Sequence, residues 1–105
     1  MTRFHIKFTP ESVTDLKNAI DYYSEQKEGL DNKFKANVRK QLILLKKNPY
    51  TRSIRFDQIR FARIEKFPYA IQYSIEPVNN IVIVHAILSD HQDPDTHQRR
   101  IVTNK

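Results

Sequence analysis

At 105 residues, 39% of them hydrophobic and 29% charged, the chain has room for one hydrophobic core and not for two, so a single domain spanning 1–105 is expected. One glycine and no cysteine exclude a glycine-rich phosphate loop, disulfides, thiolate catalysis and cysteine-ligated metal. The net charge of +6 is concentrated in the middle, where residues 33–66 carry eleven Lys or Arg against Asp57 and Glu65, a local balance of +9, while 1–32 sum to −2 and 67–105 to −1.

Phe4, Ile6 and Phe8 alternate with Arg3, His5 and Lys7, which predicts a half-buried strand over 3–8. Thr9-Pro10 then supplies an N-cap and a first helical residue. Val13, Leu16, Ala19, Ile20 and Tyr23 fall on one stripe of the helix that follows, and Gly29 is expected to close it with a left-handed residue. A second helix is predicted from Leu30, Phe34, Val38, Leu42 and Leu45, stopped by Asn48-Pro49. So short a link makes the two helices an antiparallel hairpin.

Beyond Tyr50 the period becomes extended, with strand candidates at 52–56, 59–66, 69–75 and 81–88. Phe67-Pro68-Tyr69 marks a reversal or bulge, because proline cannot donate a ladder bond, and Glu76 to Asn80 forms a turn. IVIVHAIL is apolar on both faces and reads as the central strand, covered by the hairpin. Segment 89–100 is polar and loop-like. The expected class is α+β, a two-helix hairpin on a twisted, mainly antiparallel sheet in the order β-α-α-β-β-β. No apolar run nears the ~18 residues of a membrane span, and the N-terminus lacks a signal peptide's apolar region, so a cytoplasmic protein without a membrane partner is expected.

The four histidines, at 5, 85, 91 and 97, have neither the spacing nor the carboxylate neighbours of a zinc site, and the Asp90-Asp93-Asp95 run lacks the rest of a calcium loop. No metal or other cofactor is expected. His5 and His85 fall within strands and read as structural, whereas His91 and His97 lie where an imidazole can exchange protons with a substrate. Arg52, Arg55, Arg60, Arg63 and Lys66 occur beside Phe56, Phe61 and Tyr69. Guanidinium forks hold phosphates and ring faces stack on bases, so this set suits RNA. It suits an acidic helix equally well, and a solvated basic surface is the plainer reading of the same charges.

FTPES before the first helix, DYYSEQKEGLDNKF across the hairpin, the KKNP stop, IRFARIEKFPYAIQYSI, and IVIVHAIL followed by a DP turn occur in one order. In that order the chain resembles the RelE/ParE superfamily of toxins from bacterial type II toxin–antitoxin, or plasmid-stabilisation, systems. The resemblance implies a growth inhibitor silenced by a cognate antitoxin with an acidic or amphipathic helical tail. It also implies one of two modes of action: ParE-like poisoning of DNA gyrase, or RelE-like cleavage of messenger RNA on the ribosome. Arg60 stands where the family often has an arginine upstream of FPY, and Arg63 and Lys66 continue that strand.

A RelE-like activity would be a metal-independent endoribonuclease, with Arg60 and Arg63 holding the phosphate and His91 moving the proton. Arg52, Arg55 and Lys66 would contact nucleic acid. At the C-terminal end Ser89 and His97 replace the histidine and tryptophan of many relatives, His91 lies near the position of their arginine, and Arg100 is kept. That departure favours the ParE-like mode. A relative reduced to a protein- or RNA-binding module is the remaining alternative. On the phosphate-binding reading, Arg60→Ala would leave the thermal melt unchanged.

Overall fold

The computed structural model describes residues 3–89, and His91, with the rest of segment 90–105, lies outside them. Strand β1 (His5–Phe8) leads into helices α1 (Pro10–Gln26) and α2 (Leu30–Lys47). A 3-10 turn (Pro49–Thr51) then leads to strands β2 (Ile54–Phe56), β3 (Ile59–Arg63), β4 (Tyr69–Glu76) and β5 (Ile81–Ser89). These form the predicted α+β arrangement.

Thr9 caps α1: its Oγ1 accepts from the Ser12 N–H at 3.2 Å, while the Ser12 hydroxyl donates to the Thr9 carbonyl at 2.8 Å. These reciprocal bonds turn Ser12 inward. Ser12 is therefore buried and Val13, assigned to the apolar stripe from its spacing, is 53% exposed. Helix α1 ends at Gln26, earlier than expected, with extended Lys27 as its C-cap. Gly29 is left-handed as predicted, at φ 82°, but it opens α2 instead of closing α1. Both helices bury apolar residues against the sheet. Ala19 and Tyr23 of α1 and Phe34, Val38 and Leu45 of α2 share one core with Ile71 and Tyr73 of β4 and Val82, Val84 and Ile87 of β5.

The sheet order is β1-β5-β4-β3-β2, with β1 parallel to β5 and every other pair antiparallel. IVIVHAIL is thus an interior strand, but β4 occupies the middle position. The apolar character of both its faces has a specific cause. Tyr73 pairs with Val84 and Gln72 with Ala86, so His85 is an extra residue and the alternation changes phase there. Val82, Val84 and Ile87 consequently face the helices, whereas Ala86 and Leu88 join Ile59, Phe56 and Phe61 in a smaller cluster on the opposite face.

Strand β3 stops at Arg63, three residues before its predicted end at Lys66. The Ile64 N–H donates to the Tyr69 carbonyl at 2.9 Å and closes a reversal in which Lys66 takes φ 68°. Pro68 lies at the end of that reversal. The link from β2 to β3 is tighter still: Phe56 pairs with Ile59, and Asp57 and Gln58 between them have φ of 44° and 65°. Two positive φ values match a type I′ hairpin, which favours glycine at its second position. Gln58→Gly should therefore raise stability by about 0.5–1 kcal/mol in urea unfolding, the relief of left-handed strain exceeding glycine's entropy cost. A loss of stability would contradict the turn geometry.

Candidate functional site

Of the basic residues singled out from sequence, Arg52 and Arg60 meet around the 3-10 turn that joins α2 to β2. That turn follows from Asn48-Pro49: proline ends the helix, and the Asn48 side-chain oxygen accepts from the Tyr50 N–H at 3.0 Å. Pro49 is buried beneath the sheet's helix-bearing face, where the Tyr73 hydroxyl donates to its carbonyl at 2.6 Å.

Arg60 pairs with Tyr73 in the β3–β4 ladder and reaches the same turn. Its guanidinium donates to the Tyr50 carbonyl at 3.4 Å and to the Arg52 carbonyl, and lies 5.5 Å from the centre of the Tyr50 ring. Arg52 in turn donates to Gln41 Oε1 of α2 at 3.0 Å and to Thr51 Oγ1 at 2.8 Å. Arg60 and Arg52 thus fasten the helical layer to the sheet.

The other basic residues point elsewhere. Arg60 and Arg63 lie in one strand at positions of opposite parity, so their side chains leave on opposite faces. Arg60 is on the face with Ala62, which packs with the helices, and Arg63 is exposed on the face that carries Ile59. The structure therefore does not bring the two together over one phosphate. Arg55, an extra residue at the irregularity between β2 and β3, places its guanidinium 4.7 Å from the centre of the Phe61 ring, which meets Phe56 edge-on at 6.1 Å. Tyr69 is remote from this platform. It packs instead with Tyr23 and Phe34 at centroid distances of 5.9 and 5.2 Å in the helix-side core. Lys66 is exposed beside Glu65, which forms an ion pair with Lys40 of α2. The hydrogen bond and charge of Lys40 hold the Glu65 carboxyl below its ordinary range.

Tyr73, Gln41 and Tyr50 were not among the residues chosen from sequence, yet they organise this region. Alternation in FPYAIQY already places Tyr69, Ile71 and Tyr73 on one face, but nothing local names the Pro49 carbonyl as the partner of Tyr73. Burial pushes the Tyr73 phenol above the ordinary tyrosine range, with Arg60 and Arg52 pulling the other way. Burial raises Tyr23 and Tyr69 in the same direction, with neighbouring tyrosines adding to the shift. A folded-state pKa above the unfolded value near 10 means that the native state keeps its proton longer, so stability is retained below that pH and lost as pH rises through it. Thermal melts should be level from neutral pH to about pH 9 and fall above about pH 10. Tyr73→Phe should flatten that decline and lower stability at neutral pH by about 1–2 kcal/mol, because a buried carbonyl loses its donor.

His85 contacts Ser74 across the strand, with Nε2 2.7 Å from the hydroxyl. Among the described residues no group of three or more His, Cys, Asp or Glu could hold a metal ion, and no helix is long and apolar enough to cross a membrane.

Residues 6–94 match the family described as the ParE toxin of the type II toxin–antitoxin system parDE. The chain belongs to the ParE toxin family. It is a toxin of a type II toxin–antitoxin system within the RelE/ParE superfamily, and its helical hairpin on a five-stranded sheet is the architecture of that group. The fold is similar to that of the chromosomal ParDE toxin–antitoxin system from P. aeruginosa, with a TM-score of 0.66 at 17% identity over 85% of this chain and 98% of the other. It is also similar to a mutant of the E. coli toxin RelE in the free state, with a TM-score of 0.62 at 10% identity over 96% of this chain and 97% of the other. No curated protein matches the chain by sequence. At these identities the two structures speak for the fold of the ParE toxin family member and not for its target.

Proposed function

We propose that this ParE toxin family member arrests growth by binding a macromolecular target, DNA gyrase as expected of ParE-like toxins, and that a cognate antitoxin with an acidic tail neutralises it. The observation carrying this reading is the separation of Arg60 from Arg63. Metal-free RNA cleavage needs cationic groups converging on one scissile phosphate, whereas here Arg60 is committed to main-chain carbonyls on one sheet face and Arg63 is exposed on the other. In the binding reading Arg55, Arg63 and Lys66, all exposed, supply target contacts, while Arg52 and Arg60 hold the turn that carries Tyr50. The purified toxin should inhibit gyrase supercoiling and leave messenger RNA on translating ribosomes intact. A cut messenger, with cleavage lost in Arg63→Ala, would overturn the proposal.

The Arg55–Phe61–Phe56 platform favours a second reading, RNA binding or RelE-like cleavage, because a cation over an aromatic face is a surface on which an unstacked base can settle. In that reading His91 carries the proton. Expression of the chain alone and together with its neighbouring reading frame tests the antitoxin: growth arrest relieved by co-expression is expected. Unimpaired growth with the toxin alone would favour a binding module without toxicity.

A further inference from the structure

A pocket of about 240 Å³ opens between α1 and the end of β5. Its floor is apolar, because Ala19 and Ile87 are only 2% and 1% exposed there. Polar groups stand around that floor. Asp15, Asn18 and Tyr22 follow at spacings of three and four along one stripe of α1, and Tyr69 comes from β4. Among the described residues no Lys, Arg or His lines the pocket.

The pocket follows from where β1 ends. Phe8 and Val84 are the last pair between β1 and β5, yet β5 continues to Ser89, so its final residues have α1 beside them in place of a strand. On that side the Ile87 N–H donates to Asp15 Oδ2 at 3.0 Å, a bond between residues 72 apart in the chain. It fixes the carboxylate in the pocket wall. A carboxylate has about four acceptor positions, so holding one N–H does not exhaust it. Tyr22 is 52% exposed, and its ring is steadied by an edge-on contact with Tyr23 at 5.1 Å.

Charge selects the kind of ligand. Helix α1 carries Glu11, Asp15, Asp21 and Glu25 against Lys17, a balance of −3 on a chain whose net charge is +6. The potential on this side therefore favours a cation. An anion would meet no positive side chain in the pocket, and a wholly apolar ligand would cover Asp15 without returning a partner for its charge.

We infer that this pocket binds a guanidinium group carried on an alkyl stem. The stem lies over Ala19 and Ile87, and the planar head donates to the Asp15 carboxylate while resting against the tyrosine rings. A guanidinium presents five donors in one plane, which matches a carboxylate flanked by an amide oxygen and two phenols. An ammonium is more strongly hydrated and has no flat face to stack. A free alkylguanidine and an arginine side chain of a polypeptide offer this same chemistry. The inference does not depend on the toxin reading.

Titration of the full-length protein with butylguanidine, followed by the amide signals of Asn18 and Ile87, tests it. Those signals should shift saturably, with a dissociation constant in the millimolar range. Butylurea, the neutral analogue of the same shape, should bind at least about tenfold more weakly, because the charge-assisted bonds to Asp15 are lost. Asp15→Asn keeps an oxygen for the Ile87 N–H and should weaken butylguanidine binding at least about tenfold. Tyr22→Leu, at an exposed position, should weaken it at least about threefold, and Tyr22→Phe, which keeps the ring, should stay within about twofold of the parent. A tripeptide with arginine at its centre and both ends blocked separates the sources: binding as tight as that of butylguanidine means that the pocket takes an arginine from a polypeptide, and exclusion of the tripeptide means that it takes a free compound. No saturable shift with butylguanidine, shifts confined to residues away from the pocket, equal binding of butylurea, or undiminished binding by a folded Asp15→Asn variant would each overturn the inference. If Asp15→Asn fails to fold, butylurea and the two Tyr22 variants decide it.

Discussion

Phe34→Ala should lower the free energy of unfolding by about 3–5 kcal/mol, the range for removing a fully buried aromatic ring. Phe34 is 0% exposed and touches Tyr23, Phe67 and Tyr69 at centroid distances of 5.1, 5.1 and 5.2 Å, so its loss empties the junction of both helices with the β3–β4 reversal. Rings meeting edge-on add to the area term, and a core anchored on three sides relaxes poorly into the space. Leu42→Ala should cost less, because Leu42 is only partly buried. Urea unfolding of the two variants checks the order. A Phe34 variant as stable as the parent would mean that the hairpin does not sit on the sheet as described.

Arg60→Ala should lower stability by about 1.5–3 kcal/mol, the range for hydrogen bonds involving a charged group. This departs from the expectation drawn from sequence, where a phosphate ligand could be removed without moving the melt. The reason is that the guanidinium bonds the carbonyls of Tyr50 and Arg52 and covers the Tyr50 ring, and these carbonyls lose their donor when it is cut away. Arg63→Ala, at an exposed position, should lower the melt less than Arg60→Ala. Thermal melts paired with growth-arrest assays separate the roles. If Arg60→Ala leaves the melt in place and abolishes arrest, Arg60 meets the target directly. If it lowers the melt while Arg55→Ala and Arg63→Ala impair arrest without doing so, Arg60 holds the turn and the exposed arginines make the contacts.

Much of the fold was legible in the chain because its signals are local. Thr9-Pro10, the stripe through Leu16, Ala19 and Tyr23, the run from Phe34 to Leu45 and the stop at Asn48-Pro49 each act within a turn or two of helix. The candidate site was legible as a composition, a set of arginines near aromatic rings, and not as a geometry. Strand parity alone could have separated Arg60 from Arg63. No sequence rule places the Tyr73 hydroxyl on the Pro49 carbonyl, 24 residues away, or Arg52 on Gln41.

The amino-acid sequence by itself determined the kind and order of the elements, since periodicity, caps and breakers depend on neighbours in the chain, and the order of its motifs carried the resemblance to the family. Only the tertiary structure decided that β1 runs parallel beside β5 and leaves an edge next to α2, that His85 shifts the phase of the last strand, and that Arg60 serves the main chain. Those outcomes depend on which distant segments meet, and there long-range packing and the pairing of buried polar groups overrule local preference.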